Sequence, residues 1–293
     1  MIEQPLKGKV AVVAGATRGA GRAIAVELGA NGATVYCTGR SVRGNPSDLA
    51  RPETIEETAE LVTARGGRGI AVRVDLTVEE EVAELFRRVK EEQDGRLDIL
   101  VNDIWGGEKL SAWGTPFWQS PLGDGLLMQR RAVHSHMITS YYGAPLMVSR
   151  GAGLIVEITD GFDYRYRGNL YYSLAKISVI HLAESMAAEL KPHGVAAVSV
   201  TPGFLRSEEM LDHFGVKEEN WRDAVEKEPH FVMSETPAFV ARGVAALAAD
   251  PDLMARTGGI FTSWGLSDEY GFKDADGNRP HWGRYAEEQG FYK

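Results

Sequence analysis

The chain has 293 residues, 44% of them hydrophobic and 25% charged, enough apolar material for a sizeable buried core. Its formal net charge of −9 and pI near 5.4 argue against nucleic acid or an anionic membrane as partner. A single cysteine, Cys37, excludes an intrachain disulfide and points to the reducing cytoplasm. The polar start, Met1 to Lys9, has no apolar core of the signal-peptide kind, and no apolar run reaches the ~18 residues of a membrane span.

Lys9 to Ala14 reads as a short buried strand, followed by Gly15-Ala16-Thr17-Arg18-Gly19-Ala20-Gly21 and a helical pattern through Ile24 and Leu28. Strand, glycine-rich turn and helix form a phosphate-binding arrangement: glycines admit a pyrophosphate close to the backbone, and the helix start offers free N–H groups. A second strand, Thr34 to Thr38, ends in Gly39 and Arg40. An NAD site usually carries an acid there for the ribose 2′-hydroxyl, whereas an NADP site carries a cation. Arg40, with Arg18 in the glycine turn, therefore points to NADP(H).

Residues 41–52 read as a loop, 53–64 as a helix, 69–74 as a strand leading to Asp75, Leu76 and Thr77, and 79–92 as an amphipathic helix. A strand over 97–101 runs into Asn102. Strands alternating with helices at this spacing predict a parallel α/β sheet with right-handed crossovers. Residues 103–131 break the rhythm, with Trp105, Trp113, Phe117 and Trp118 set among Gly, Pro and Ser; these rings line a substrate wall or fill a core or subunit contact. Helix returns over about 126–147, then a strand over 153–158.

The next helix carries Tyr172 and Lys176 four residues apart, one turn apart on the same face. An ammonium there favours the phenolate and suits the Tyr to pass a proton to or from a substrate oxygen. Alone, the pair is a weak pattern, and its weight comes from the glycine turn upstream. A strand over 195–200 ends in Thr201-Pro202-Gly203, and a long segment to Ser234 carries Phe204, Leu205, Met210, Leu211, Phe214, Trp221, Phe231 and Met233. Arg206 there is a candidate for meeting a single anion. An Ala-rich helix over 235–249, with Thr236 as N-cap and Pro237 at its first position, and a last strand over 259–262 complete the pattern. The expected fold is a Rossmann-type doubly wound parallel sheet in three α/β/α layers. One domain spans 1–265, with substrate-loop insertions at about 103–131 and 204–234 and a C-terminal extension over 266–293.

These pieces, in this order and at these separations, resemble the short-chain dehydrogenase/reductase superfamily over about residues 5–265. The segments Tyr141 to Val148 and Tyr270 to Gly277 look most like its dehydrogenase/reductase member 1 type. The resemblance implies Tyr172 as general acid in carbonyl reduction, and Lys176 as the group that holds the nicotinamide ribose and lowers the Tyr172 pKa. Thr159, 13 residues before Tyr172, stands for the usual serine and would bond the substrate oxygen. It ranks ahead of Asp160, whose carboxylate would repel a developing oxyanion. The resemblance further implies cofactor contacts from Gly15, Thr17, Arg18, Gly19, Ala20, Gly21, Arg40, Asp75 (to the adenine amino group), Leu76, Asn102, Tyr172, Lys176, Pro202, Gly203 and Ser207. Trp105 and Phe204 are candidates for the substrate pocket.

Two departures stand out. The usual Asn-Asn-Ala-Gly stretch is Asn102-Asp103-Ile104-Trp105, and the helix asparagine of the family's proton relay falls on Ala132. His134 or His136 could substitute, although a surface or core histidine is the plainer reading of each. The pair lacks metal-ligand spacing, and Asp274 to Asn278 reads as a turn, so no metal is expected. The expected activity is NADPH-dependent reduction of a ketone, aldehyde or quinone, or the reverse, by a cytoplasmic homodimer or homotetramer. The alternative is an NADP(H)-binding sensor or scaffold with little catalysis.

Overall fold

The computed structural model describes residues 4–46 and 50–291. The strands β1 (Val10–Ala14), β2 (Thr34–Gly39), β3 (Arg68–Arg73), β4 (Ile99–Asn102), β5 (Gly153–Ile158), β6 (Val195–Thr201) and β7 (Ile260–Thr262) form one sheet in the order 3-2-1-4-5-6-7. Every adjacent pair is parallel. Helices intervene: α1 (Gly19–Ala30), α2 (Ile55–Ala64), α3 (Glu79–Glu92), α4 (Leu122–Gln129), α5 (Ser135–Val148), α6 (Leu170–Leu190), α7 (Glu208–Phe214), α8 (Pro237–Ala249), α9 (Leu253–Arg256), α10 (Ser263–Tyr270) and α11 (Trp282–Glu288). This is the expected doubly wound sheet in a single domain.

A parallel sheet covered on both faces needs strands apolar on both faces, and β1 and β6 are buried at every position. Alternate residues serve opposite layers. Ala11 and Val13 join Ile24 and Leu28 of α1 and Val240 and Val244 of α8 on one face. Val10, Val12 and Ala14 join Leu85 and Phe86 of α3 and Met147 of α5 on the other. Strand order reverses between β1 and β4, which opens a crevice at the carboxyl ends of those strands.

Several boundaries differ from expectation for local reasons. Thr54 caps α2 by accepting from the Glu57 N–H at 3.2 Å, so that helix starts at Ile55 rather than residue 53. Residues 47–49 of the loop expected over 41–52 lie outside the described residues. The helix expected over 126–147 starts at Leu122 and passes through a π-helical turn, Arg130–His134, before α5. Pro237 does open α8, but Thr236 makes no side-chain cap; its hydroxyl goes instead to Asp274 in the tail. Asn169 caps α6 by accepting from the Tyr172 N–H at 3.1 Å. Ala175, Val179, Ile180, Ala183 and Ala187 then bury one face of α6 and leave Tyr172 and Lys176 beside the crevice.

Candidate active site

The crevice is a cavity of about 700 Å³. Its floor on one side is the glycine turn. Gly15 and Gly19 have φ of +94° and +56°, open to glycine and strained for other residues. Space is as restrictive as conformation: a Cβ on Gly15 would lie 2.3 Å from the Asp103 carbonyl oxygen, and one on Gly21 2.2 Å from that of Gly15. The Gly19 N–H donates to Glu208 Oε2 at 2.9 Å, so a carboxylate already sits against the start of α1. Arg18 lies 3.5 Å from Glu53, yet its Nε and Nη2 are buried without a hydrogen-bond partner. Arg40 reaches Asp75 at 3.9 Å, and the Asp75 carboxylate is oriented by the Thr77 N–H and hydroxyl at 3.0 and 2.7 Å. Thr17, Ala20 and Leu76 are buried around this end. A cradle closed to a Cβ at Gly15 and Gly21, beside a guanidinium Nη2 without a hydrogen-bond partner, fits the phosphates of a dinucleotide.

Across the crevice Tyr172 donates its hydroxyl hydrogen to Asp160 Oδ2 at 2.8 Å. Thr159, the residue expected to serve the substrate oxygen, is buried, and its hydroxyl donates to the Lys176 carbonyl at 2.7 Å. Thr159 does line the cavity beside Asp160 and Tyr172. The one hydroxyl hydrogen of Thr159 is spent on the first turns of α6, and Asp160, ranked second, is the residue that meets the phenol. The expected lowering of the Tyr172 pKa also fails to appear. Burial pushes it well above the usual phenol value, the Asp160 carboxylate pushes it further, and Arg167 opposes only in part.

Lys176 Nζ lies 4.0 Å from the Trp105 ring centroid. Burial draws its pKa down, while Asp160, Asp103 and Glu108 oppose that. Asp103 is itself pushed up to about 7 by burial, against the pull of Lys176, His136 and the Gly21 N–H. In the sequence Asp103 stands out only as a departure, although its place at the carboxyl end of β4 is a usable signal.

A buried polar network holds that strand end. Asn102 donates to Ser140 Oγ at 3.0 Å and to Glu157 Oε1 at 2.7 Å, and accepts from Thr139 at 2.7 Å. His136 faces Glu157 Oε2 at 2.5 Å and the Ile104 carbonyl at 3.0 Å. His136 is thus a core histidine that fixes the Asp103–Trp105 loop. Ala132 is buried in the π-helical turn and brings no polar side chain to Lys176. Among the described residues no cluster of three or more His, Cys, Asp or Glu is placed to hold a metal.

The outer walls combine distant segments. Trp105 and Trp113 pack on the Tyr172 ring at centroid distances of 5.5 and 5.0 Å, while Phe117 and Trp118 are exposed and outside the cavity. Phe204, Leu205 and Met210 line the cavity, whereas Phe214, Trp221 and Phe231 form a small core behind it on which Phe204 and Met210 pack. Arg206 is no anion site: it is buried and bound to Glu218 and Ser234. Ser207 lines the cavity and caps α7 through the Met210 N–H at 3.4 Å.

The chain after β7 supplies walls that nothing in the sequence singled out. Trp264 and Trp282 line the cavity, and a Cβ on Gly203 would lie 2.8 Å from the Trp282 Cβ. Beneath Pro202 and Gly203, buried Glu235 Oε2 accepts from the Gly203 N–H at 2.9 Å and the Ser263 hydroxyl at 2.6 Å, while its Oε1 has no partner. Burial pushes the Glu235 carboxyl up to about 8.

A glycine-lined phosphate cradle at the switch point of a parallel sheet, facing a Tyr–Lys pair on one helix, defines a nicotinamide-linked oxidoreductase site. The chain belongs to the short-chain dehydrogenase family, whose model matches residues 9–217. It is 38% identical over 277 residues to dehydrogenase/reductase SDR family member 1 of mouse, an alignment covering 93% of this chain and 85% of that protein. The fold matches a short chain dehydrogenase of Mycobacterium thermoresistibile with a TM-score of 0.78 at 23% identity, over 95% of this chain and 92% of the other. It also matches a 7α-hydroxysteroid dehydrogenase complexed with NADH and 7-oxo glycochenodeoxycholic acid, with a TM-score of 0.71 at 25% identity, over 89% and 96% of the two chains.

Proposed function

We propose that the protein is an NADPH-dependent oxidoreductase that interconverts hydrophobic carbonyl compounds (ketones, aldehydes or quinones) and their alcohols. The observation that carries this reading is the placement of Tyr172, Lys176 and the glycine cradle around one cavity whose free wall is aromatic. NADP(H), when bound, supplies or accepts hydride. Gly15, Thr17, Gly19, Ala20 and Gly21 hold its pyrophosphate against the start of α1, and Arg18 and Arg40 pair with a 2′-phosphate. Nη2 of Arg18, buried without a hydrogen-bond partner, supports that assignment, since an anion there relieves an unmet need. Asp75 and Leu76 border the adenosine half and Pro202, Gly203 and Ser207 the nicotinamide end, while buried Asn102 supports the β4 end beside the cofactor.

Tyr172 gives its proton to the substrate oxygen in reduction and takes it back in oxidation. Lys176, held over Trp105, keeps positive charge beside the phenolate that forms. Thr159 acts at one remove by fixing the Lys176 turn of α6 through its carbonyl. Trp105, Trp113, Phe204, Trp264 and Trp282 hold a bulky apolar substrate by area rather than charge.

Leu122, Leu126, Met137, Tyr141 and Leu174 are exposed on α4, α5 and α6, and favour pairing of two copies through these helices. Of the apolar residues along α6, Ile180, Ala183 and Ala187 are buried within the subunit, whereas Ile177, Met186 and Leu190 are partly exposed. No helix among the described residues is long and apolar enough to cross a membrane, and we assign the protein to the cytoplasm on its one buried thiol.

A panel of aromatic ketones, aldehydes, quinones and polar keto-sugars, assayed with NADPH and NADH, tests the reading. Turnover of apolar carbonyls with NADPH is expected. Cofactor binding without turnover of any of them would favour the sensor instead.

A further inference from the structure

We propose that Asp160 is the residue through which Tyr172 exchanges its proton with solvent, so that the proton path leaves the site through the substrate mouth rather than through Lys176. This rests on the carbonyl–alcohol reading above. Three observations carry it. The Tyr172 hydroxyl is bonded directly to Asp160 Oδ2 at 2.8 Å. Asp160 is solvent-exposed while lining the same cavity. On the opposite side the π-helical turn brings no polar side chain to Lys176, since Ala132 is buried where that turn passes α6, and Lys176 Nζ rests on the Trp105 ring.

The step balances as a proton transfer. A bound reduced nicotinamide would supply the hydride that the carbonyl carbon takes up. The Tyr172 O–H bond breaks as the alcohol O–H bond forms, leaving a phenolate. The phenolate takes a proton from the acid form of Asp160, whose carboxylate takes one from water or buffer. One solvent proton is consumed per turnover, and alcohol oxidation runs the path backwards.

The charged groups around the phenol fit this assignment. Asp160 and Arg167 act on Tyr172 directly, with opposite signs. Lys176 lies below it, with Asp103 and Glu108 around the ammonium. Of the carboxylates, Asp160 is the one bonded to the phenol. It holds Tyr172 in the protonated form that reduction requires, which a neutral serine hydroxyl would not do.

Asp160→Asn and Asp160→Ala test the path. Asn keeps a hydrogen-bond acceptor for the phenol but carries no proton. Both variants should lose roughly 10²-fold in kcat for carbonyl reduction with little change in NADPH affinity. Added formate or acetate should restore part of kcat in Asp160→Ala and do nothing for the parent enzyme; a role confined to packing would not respond to small acids. Unchanged kcat in both variants, or a loss in Asp160→Ala that no small acid relieves, would overturn the proposal.

A second readout does not depend on turnover. Tyrosinate absorbance near ~295 nm, followed against pH in the cofactor-free protein with Tyr172→Phe subtracted, reports the phenol itself. Its midpoint should fall in Asp160→Asn, because the carboxylate that opposes the phenolate is gone. An unmoved midpoint means that the pair is not formed, and defeats the proposal. If the parent protein reduces no carbonyl and oxidises no alcohol, the functional reading fails, and this titration alone decides whether Asp160 is the proton partner of Tyr172.

Discussion

The wall built from β1, the glycine turn and β2 is backbone brought against backbone, with Gly15 touching the Asp103 carbonyl and Gly21 touching Gly15. The wall facing it is made of side chains from segments far apart: Trp105 and Trp113, Asp160, Phe204, and Trp264 and Trp282 from the chain after β7. The first wall tolerates little change at Gly15 and Gly21, where an added Cβ meets a peptide group. The second has no such restriction, so it can vary in shape and charge while the first holds one kind of ligand. The two meet at Tyr172 and Lys176, where Asp103 approaches from the backbone side and Asp160 from the solvent side.

The sharpest test of this division is at the meeting point. Tyr172→Phe should reduce turnover by about 10²–10⁴-fold while NADPH titration stays close to the parent. A variant that loses both functions together would show that the walls are not separable. On the backbone wall, Arg18→Ala should weaken NADPH by about 10–100-fold and leave NADH nearly unchanged, since a charge-assisted bond to phosphate contributes about 1.5–3 kcal/mol. Equal weakening of both cofactors would mean that Arg18 only supports the loop through Glu53.

Trp282→Ala probes the other wall. Removing that ring should raise KM for bulky aromatic ketones by about 10-fold and leave small aldehydes and cofactor affinity little altered, in line with the apolar area lost. An equal change for small and bulky substrates would place the effect in the Gly203 backbone instead.

The smallest expected effect concerns Glu235, which ties the Gly203 N–H to the chain after β7. Its carboxyl keeps a proton in the folded chain up to about pH 8, whereas an unfolded glutamate loses its proton near ~4.3. Across that window the folded state binds a proton that the unfolded state does not, so stability falls as pH rises. Glu235→Gln removes this dependence. It should raise Tm at pH 8 by a few degrees, on the order of 2 kcal/mol, and change Tm little at pH 5. A variant less stable than the parent at both values would assign Glu235 a hydrogen-bonding role that the amide cannot fill.

Much of the molecule is legible in the linear pattern of its residues. The alternation of apolar strands and amphipathic helices determines the parallel sheet, because a strand covered on both faces must be apolar throughout, and β1 and β6 are. The glycine turn and the Tyr172–Lys176 spacing are short-range patterns, set within one turn or one helix, and need no distant segment to be recognised. What the linear pattern leaves open is which of two adjacent residues, Thr159 or Asp160, faces the phenol. That choice depends on where β5 ends and on the Lys176 carbonyl 17 positions further on, which takes the Thr159 hydroxyl. The same holds for Arg206, whose charge is available in the sequence but enclosed by Glu218 and Ser234 in the fold. It holds too for Trp282, which reaches Gly203 across 79 positions with no local signal to mark it. Local chemistry follows from neighbours along the chain, whereas the partner of a buried charge or ring is decided only when packing brings distant segments within a few ångströms.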